Sequence, residues 1–339
     1  MYQPDVYGSA LIFMLVSMFC WGSWANTRKL CPGYRFQLFY WDYVVGLLLG
    51  ALLWGVTLGS MGSVGNHFLA DVAGSNRQAF VMAALGGVIF NVANLLLVAA
   101  IDIAGLAVAF PVGIGLALVI GAVSNYVIHP EGNPLLLFGG IAFVVAAIVL
   151  DASAYKLREK GRTGASGKGI GLSLVSGVLM GSFYPFVSKA MFSPGAPGPY
   201  AVALFFVLGV ALCALPANYL LMRRPLDGKA AIDFSGFINA SGRWHLWGII
   251  GGVIWCTGAV FNFVASRTHF VGPAVSYSIG QGATMVSAAW GVFVWHEFSG
   301  ASSRIRLLLA LMFFFFLLGL AAIAAAPLFP AHSMIPSGV

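Results

Sequence analysis

Charge is scarce in this chain: only 8% of its 339 residues are Asp, Glu, Lys or Arg, against roughly 25% in an ordinary soluble domain. Neither an H-E-x-x-H nor a G-x-S-x-G pattern occurs, and no pair of carboxylates falls within one apolar run, so an intramembrane enzyme is disfavoured. Of the four cysteines, Cys20, Cys213 and Cys256 lie inside apolar runs and Cys31 in a loop. Their spacing suits neither a disulfide nor a metal, and no cofactor is expected. No Lys or Arg precedes the first apolar run, which argues against a cleaved signal peptide and for a retained first helix. The net charge of +7 resides in short interhelical loops rather than in one patch, so nucleic acid is not an expected partner.

What is abundant is apolar side chain, at 60% of the residues, and it comes in long runs. A hydrocarbon layer about 30 Å thick asks for about 20 apolar residues per helix. Ten such stretches are predicted near residues 8–26, 37–58, 78–99, 104–128, 134–153, 169–188, 199–221, 245–265, 271–295 and 305–326. Backbone groups in lipid must be satisfied internally, and these runs lack the alternation of barrel strands, so each reads as a helix. The expected fold is an all-α polytopic membrane protein with the bilayer as its solvent. The 43 glycines suit close helix contacts in lipid, as at Gly46 with Gly50 and Gly177 with Gly181.

Charge distribution tests the count independently. Ten crossings put the loops after helices one, three, five, seven and nine on one side, and these hold 14 of the 17 basic residues. The other side keeps only Arg77, Lys189 and Arg267. That bias places both termini outside the cytoplasm, with the protein in the cytoplasmic (plasma) membrane.

Shifted against itself, the chain aligns Leu15, Val16, Ser17, Gly22 and Ser23 with Leu174, Val175, Ser176, Gly181 and Ser182. A slightly larger shift puts Gly86-Gly87-Val88-Ile89 on Gly251-Gly252-Val253-Ile254, and Gly105, Ala107, Val108, Gly113 and Gly115 on Gly272, Ala274, Val275, Gly280 and Gly282. Five is odd, so a duplicated five-helix unit enters the membrane the second time upside down. The expected organisation is two inverted five-helix repeats, 1–155 and 169–339, joined by a basic linker at 156–168. Inverted repeats are a signature of secondary transporters, with the site near the midplane between halves.

Gly22-Ser23-Trp24, Asp42-Tyr43, Val119-Ile120-Gly121 with Asn125-Tyr126, Arg224-Pro225 with Gly228, Gln281, Ser287, Trp290-Gly291-Val292 and Glu297-Phe298 follow one another along nearly the whole chain. In this order they resemble the drug/metabolite transporter (DMT) superfamily, and within it the ureide permeases and their bacterial relatives, neighbours of the glucose and ribose porters. The resemblance implies ten helices with substrate between the halves. For plant members it implies uptake of allantoin and related oxo-purines or pyrimidines coupled to protons. Plant members carry a long insert between helices five and six. Here that stretch is short, and its Gly164-Ala165-Ser166-Gly167-Lys168 fails as a P-loop because position 162 is Arg and 169 is Gly.

An ionised residue deep in a lipid-embedded helix needs a reason, and Asp42 has the clearest need of one. It reads either as a proton-coupling or substrate anchor, or as a salt bridge to Arg28 or Lys29. Asp151 and Glu297, at cytoplasmic helix ends, read as structural pairs with loop cations. A flat ureide or oxopurine wants aromatic faces and carboxamides. Trp21, Trp24, Tyr184, Asn91, Asn94, Asn125, Tyr277, Ser278 and Gln281 are the substrate candidates, each also able to serve as a helix–helix hydrogen bond. Pro111 and Pro185 are candidate hinges or tolerated kinks. The expected function is secondary transport of a small neutral polar solute, a ureide or nucleobase first and a sugar second. A non-transporting membrane sensor is the third reading. The partners are that solute, the lipid bilayer and a coupling proton, and the fold leaves room for a homodimer.

Overall fold

The computed structural model describes residues 1–104, 106–158, 167–226 and 228–329, with side chains at 106–108, 110 and 111 outside that description. Every regular element among the described residues is helical. The long helices are α1 Tyr7–Ser23, α3 Phe36–Val56, α5 Arg77–Ala104, α6 Leu106–Ile128, α7 Pro134–Arg158, α8 Gly167–Phe192, α9 Pro199–Arg223, α11 Gly242–Ser266 and α14 Ser303–Ala325. Short helices α2 Asn26–Lys29, α4 Phe68–Gly74 and α10 Ser235–Ile238 fill the connections. Among the described residues, eight helical stretches are long and apolar enough to cross a membrane. Their outer faces carry exposed Val45, Leu49, Leu52 and Leu53 on α3 and Leu307, Phe314 and Leu317 on α14, side chains that a lipid surround accommodates.

The ninth predicted helix is not continuous. It divides into α12 Gly272–Gly280, α13 Ala283–Ala289 and a π-helical turn, Trp290–Val294. At the break Gly280, Gln281 and Gly282 tighten so that Gly282 N–H bonds Ile279 O at 2.9 Å and Met285 N–H bonds Gly282 O at 2.9 Å. Close packing of α1 is the physical reason. A Cβ at Gly280 would lie 2.6 Å from the Trp21 ring, and one at Gly282 2.7 Å from Met18 Sδ. Helix α5 runs further than its apolar run, to Ala104, and α7 to Arg158. Helix α8 continues through Pro185. The Pro111 side chain lies outside the described residues, as does linker segment 159–166.

Lipid gives helices no hydrophobic reason to associate with one another, so van der Waals fit and interhelical hydrogen bonds must hold them. Glycine supplies the fit. Helices α3 and α11 meet where a Cβ on Gly46 would collide with Ile249 O and one on Gly252 with Tyr43 O. Helices α5 and α9 meet in the same way, Gly87 against Phe206 O and Gly209 against Ala84 O. A Cβ on Gly22 of α1 would lie 2.5 Å from Ala283 O and Val286 Cβ, and one on Gly181 of α8 would lie 2.9 Å from Ala117 O and 2.7 Å from Ile120 Cβ. Between α7 and α14, a Cβ on either Gly140 or Gly319 would lie 2.6 Å from the other's carbonyl oxygen.

Loop contacts sort the two ends of the bundle. At one end Lys29 pairs with Glu297, Arg158 donates to Ser299 O at 2.9 Å, Lys168 to Leu226 O at 2.8 Å, and Lys229 lies 3.9 Å from Asp102. At the other, Asn76 donates to Pro194 O, Gly198 N–H to Asp71, and Arg267 sits over the Phe192 ring.

Candidate functional site

Aromatic side chains from α1, α3, α5, α9 and α11 converge in the interior. Tyr40 and Tyr43 stand one turn apart on α3, hence on one face, and stack at 5.3 Å. Trp24 lies 4.7 Å from Tyr43, Phe90 4.4 Å from Trp255, and Trp21 5.7 Å from Trp255, with Phe206 closing the far wall. Asn91 and Asn94, again one turn apart, bring carboxamides from α5 to this wall. The Tyr40 hydroxyl donates to Asn91 Oδ1 at 2.7 Å and accepts from Asn94 Nδ2 at 3.5 Å. Asn91 Nδ2 and the Tyr43 hydroxyl are buried with no hydrogen-bond partner in the protein. A donor so placed costs about 1–3 kcal/mol, and these two in one aromatic enclosure are the candidate contacts for acceptors from outside the fold.

A second polar network is closed on itself. The Tyr184 hydroxyl donates to Asn262 Oδ1 at 2.6 Å, and Asn262 Nδ2 donates to Ser276 O at 2.9 Å and Ser17 Oγ at 3.2 Å. The Ser276 hydroxyl returns a bond to Asn262 O at 2.9 Å, and the Tyr277 hydroxyl donates to Ala117 O at 3.1 Å. These bonds tie α1, α6, α8, α11 and α12 together. Tyr184 and Tyr277 are therefore engaged in holding helices together, whereas Asn125 Nδ2 bonds Gly121 O at 2.7 Å within its own helix α6. Ser278 Oγ and Asn125 Oδ1 are buried and unpartnered, and Gln281 sits at the helix break, 9% exposed. Trp21 donates its indole N–H to Trp255 O at 3.2 Å. Of the nine substrate candidates, Trp24, Asn91 and Asn94 meet at the open donors, Trp21 stacks on the shared wall, and the other five lie in the layer around α12.

Asp42 is buried, and its partners are not the loop cations. Its Oδ1 is 2.8 Å from His245 Nδ1 and its Oδ2 accepts from the Tyr34 hydroxyl at 2.8 Å. Arg28 instead lies over the Phe36 ring at 5.4 Å, and Lys29 is drawn to Glu297. Helix α11 comes close enough for this because Gly248 faces the Asp42 side chain. Burial and the bond to Asp42 push the Tyr34 phenol up, so it stays a donor. Asp151 Oδ1 has no hydrogen-bond partner. At Glu297 burial raises the carboxyl, but Lys29 and the Tyr155 hydroxyl at 2.8 Å outweigh it and hold the group below its ordinary value.

Tyr40, Tyr43 and Trp255 carry much of the site, yet an aromatic in an apolar run gives no sign of its direction. His245 and Asn262 did carry a signal, being polar residues inside apolar helices. Among the described residues no group of three or more His, Cys, Asp or Glu is placed to hold a metal. A cleft of about 550 Å³ lies at the end away from Lys29, lined by Met82, His129, Lys189 and Phe192 among others.

Comparison with known proteins agrees with this architecture. Residues 39–164 match the family model described as ureide permease. Over 96% of the chain and 99% of the relative in each case, it is 24% identical to ureide permease 2 and 23% identical to ureide permease 4, both of Arabidopsis thaliana. A solved crystal structure covers 93% of this chain and 98% of its own with a TM-score of 0.62 at 16% identity, a likeness of fold alone. Apolar helices in this number, together with similarity to the ureide permeases, make the chain an integral membrane protein.

Proposed function

We propose that the chain is a permease, not an enzyme, and that it carries a flat neutral solute of the ureide or oxo-heterocycle class. The observation that bears most weight is the pair of free donors, Asn91 Nδ2 and the Tyr43 hydroxyl, inside aromatic walls. Ureides and nucleobases present ring carbonyls at their edge and π-faces above and below, which match donors and rings respectively. The relatives' name adds independent weight. Monosaccharides are the second reading, since sugars also stack on aromatics.

The transport cycle is alternating access between two inverted five-helix halves, the organisation of the drug/metabolite transporter superfamily. Eight spans, α6 and the interrupted α12–α13 segment make up the ten crossings. Support comes from the glycine contacts, because exchanging the halves maps one set onto the other. Gly46 facing Ile249 O corresponds to Gly209 facing Ala84 O, and Gly22 on Ala283 and Val286 corresponds to Gly181 on Ala117 and Ile120, one residue from the register that aligns Gly113 and Gly115 with Gly280 and Gly282. The boundaries 1–155 and 169–339 follow. The basic end faces the cytoplasm and both termini lie outside, in a plasma membrane. Asp42, held by Tyr34 and His245, carries the coupling proton.

A thermal-shift screen of purified protein against ureides, nucleobases and monosaccharides tests the substrate class. Ligands that bind only the folded state raise its stability. Stabilisation by ureides or nucleobases but not by sugars is expected, and the reverse pattern would move the chain to the sugar reading.

A further inference from the structure

The ion pair between Lys29 and Glu297 closes the basic end of the bundle. It joins the α1–α2 segment to the loop after the π-helical turn, and Tyr155 and Arg158 of α7 are drawn onto the same residue. Trp295 donates to Asn26 and lies under Lys29 at 4.9 Å, so the contact is a layered latch rather than one bond.

The opposite end holds the same two residue types at corresponding places. Glu297 stands eleven residues after Val286, the contact of Gly22, and Glu131 stands eleven after Ile120, the contact of Gly181, so the two acids correspond to within one residue of the register set by Gly113 and Gly115 on Gly280 and Gly282. Lys29 follows Gly22 by seven residues and Lys189 follows Gly181 by eight. The extra residue matches the local difference that α1 breaks at Trp24 while α8 runs unbroken. Lys189 and Glu131 are not paired: no ion pair joins them among the described residues, and Glu131 Oε2 is buried without a hydrogen-bond partner. They nevertheless flank one contact. The His129 ring, two residues before Glu131, lies tilted against Phe192 at 4.4 Å, and Lys189 lies one turn before Phe192. Lys189 and His129 line the cleft of about 550 Å³ that opens there.

We infer that Lys29–Glu297 and Lys189–Glu131 are the two latches of one gate, formed alternately, and that the structure shows the cytoplasmic latch shut with the outer one apart. The inference rests on the inverted-repeat permease described above. Solute entering from the outer cleft would meet a closed floor. Shutting Lys189 on Glu131 would then accompany release of Glu297 from Lys29.

Intact cells expressing the full chain with Met82→Cys, a half-buried cleft position, test this with a membrane-impermeant maleimide added outside. Labelling of the parent chain is subtracted. Glu297→Gln weakens the latch that the outward-open state needs, so external labelling is expected to slow about two- to fivefold, the scale of one exposed ion pair. Glu131→Gln added to Glu297→Gln weakens the other latch and is expected to return the rate towards the parent's. The charge-swapped pair Lys29→Glu with Glu297→Lys should also restore it. Unchanged labelling in Glu297→Gln, or no recovery when Glu131→Gln is added, overturns the inference. Ureide uptake by the same cells separates the two claims. Normal uptake with unmoved labelling removes the latches and leaves the permease, while moved labelling without uptake of any ureide supports the latches and removes the substrate class.

Discussion

Tyr43→Phe separates binding from folding more cleanly than any other single change in the site. The Tyr43 ring packs 5.3 Å from Tyr40 and 4.7 Å from Trp24, and its hydroxyl is buried without a partner. Phenylalanine keeps the ring and deletes only the hydroxyl. In the ligand-free protein an unpaired buried hydroxyl costs about 1–3 kcal/mol, so its removal should leave the melting temperature unchanged or raise it. With ligand present the hydroxyl donates to a ring carbonyl, a bond of about 0.5–1.5 kcal/mol. Losing that bond weakens affinity by about two- to twelvefold, since 1.4 kcal/mol is tenfold. The two measurements should therefore move in different directions. Thermal melts of purified protein without ligand and the concentration dependence of uptake read them separately. A lower ligand-free melting temperature with unchanged affinity would refute the assignment, because it would mean that the hydroxyl has a structural partner.

Three further outcomes follow from the geometry. Asp42→Asn can still accept from Tyr34, so the fold should persist while pH-driven accumulation is lost and exchange is spared; unaltered accumulation would exclude Asp42 from coupling. Gly209→Ala forces α9 off the Ala84 carbonyl and should destabilise by about 1–3 kcal/mol, with Gly46→Ala behaving alike in the other contact, and a neutral melt for both would contradict the close approach. Glu297 has a folded-state pKa held below its ordinary 4.5, so its ion pair adds stability above that value and loses it as pH falls through the lower one. Glu297→Gln and the parent should then differ in melting temperature at neutral pH and converge in acid; a constant gap would show that charge is not involved.

Much of this arrangement was legible in the chain because lipid imposes a plain rule: apolar runs of span length must be helices. Nine of the ten expected stretches appear as single long helices, α6 among them, because nothing local competes with that rule. The remaining one, the ninth, breaks at Gly280-Gln281-Gly282 where Met18 and Trp21 from α1 pack against it, a cause some 260 residues distant in the chain. The same limit applies to the site. Asn91 and Asn94 stand out as polar residues in an apolar helix, but Tyr40 and Tyr43 differ from lipid-facing aromatics only in where α3 turns them. Asp42 was visible as an expensive charge, whereas its partner depended on Gly248 letting α11 approach and bring His245 with it. The pairing of Lys29 with Glu297 joins positions 268 residues apart, beyond the reach of local pattern.

Uptake of labelled allantoin and uracil into liposomes containing the purified protein, set against empty vesicles under an imposed pH gradient, bears on the central claim most directly. Saturable entry of at least one of them, reduced by Asn91→Ala and by Tyr43→Phe, is the predicted result. Entry no faster than into empty vesicles for both compounds, with a monosaccharide entering instead, would contradict the ureide assignment.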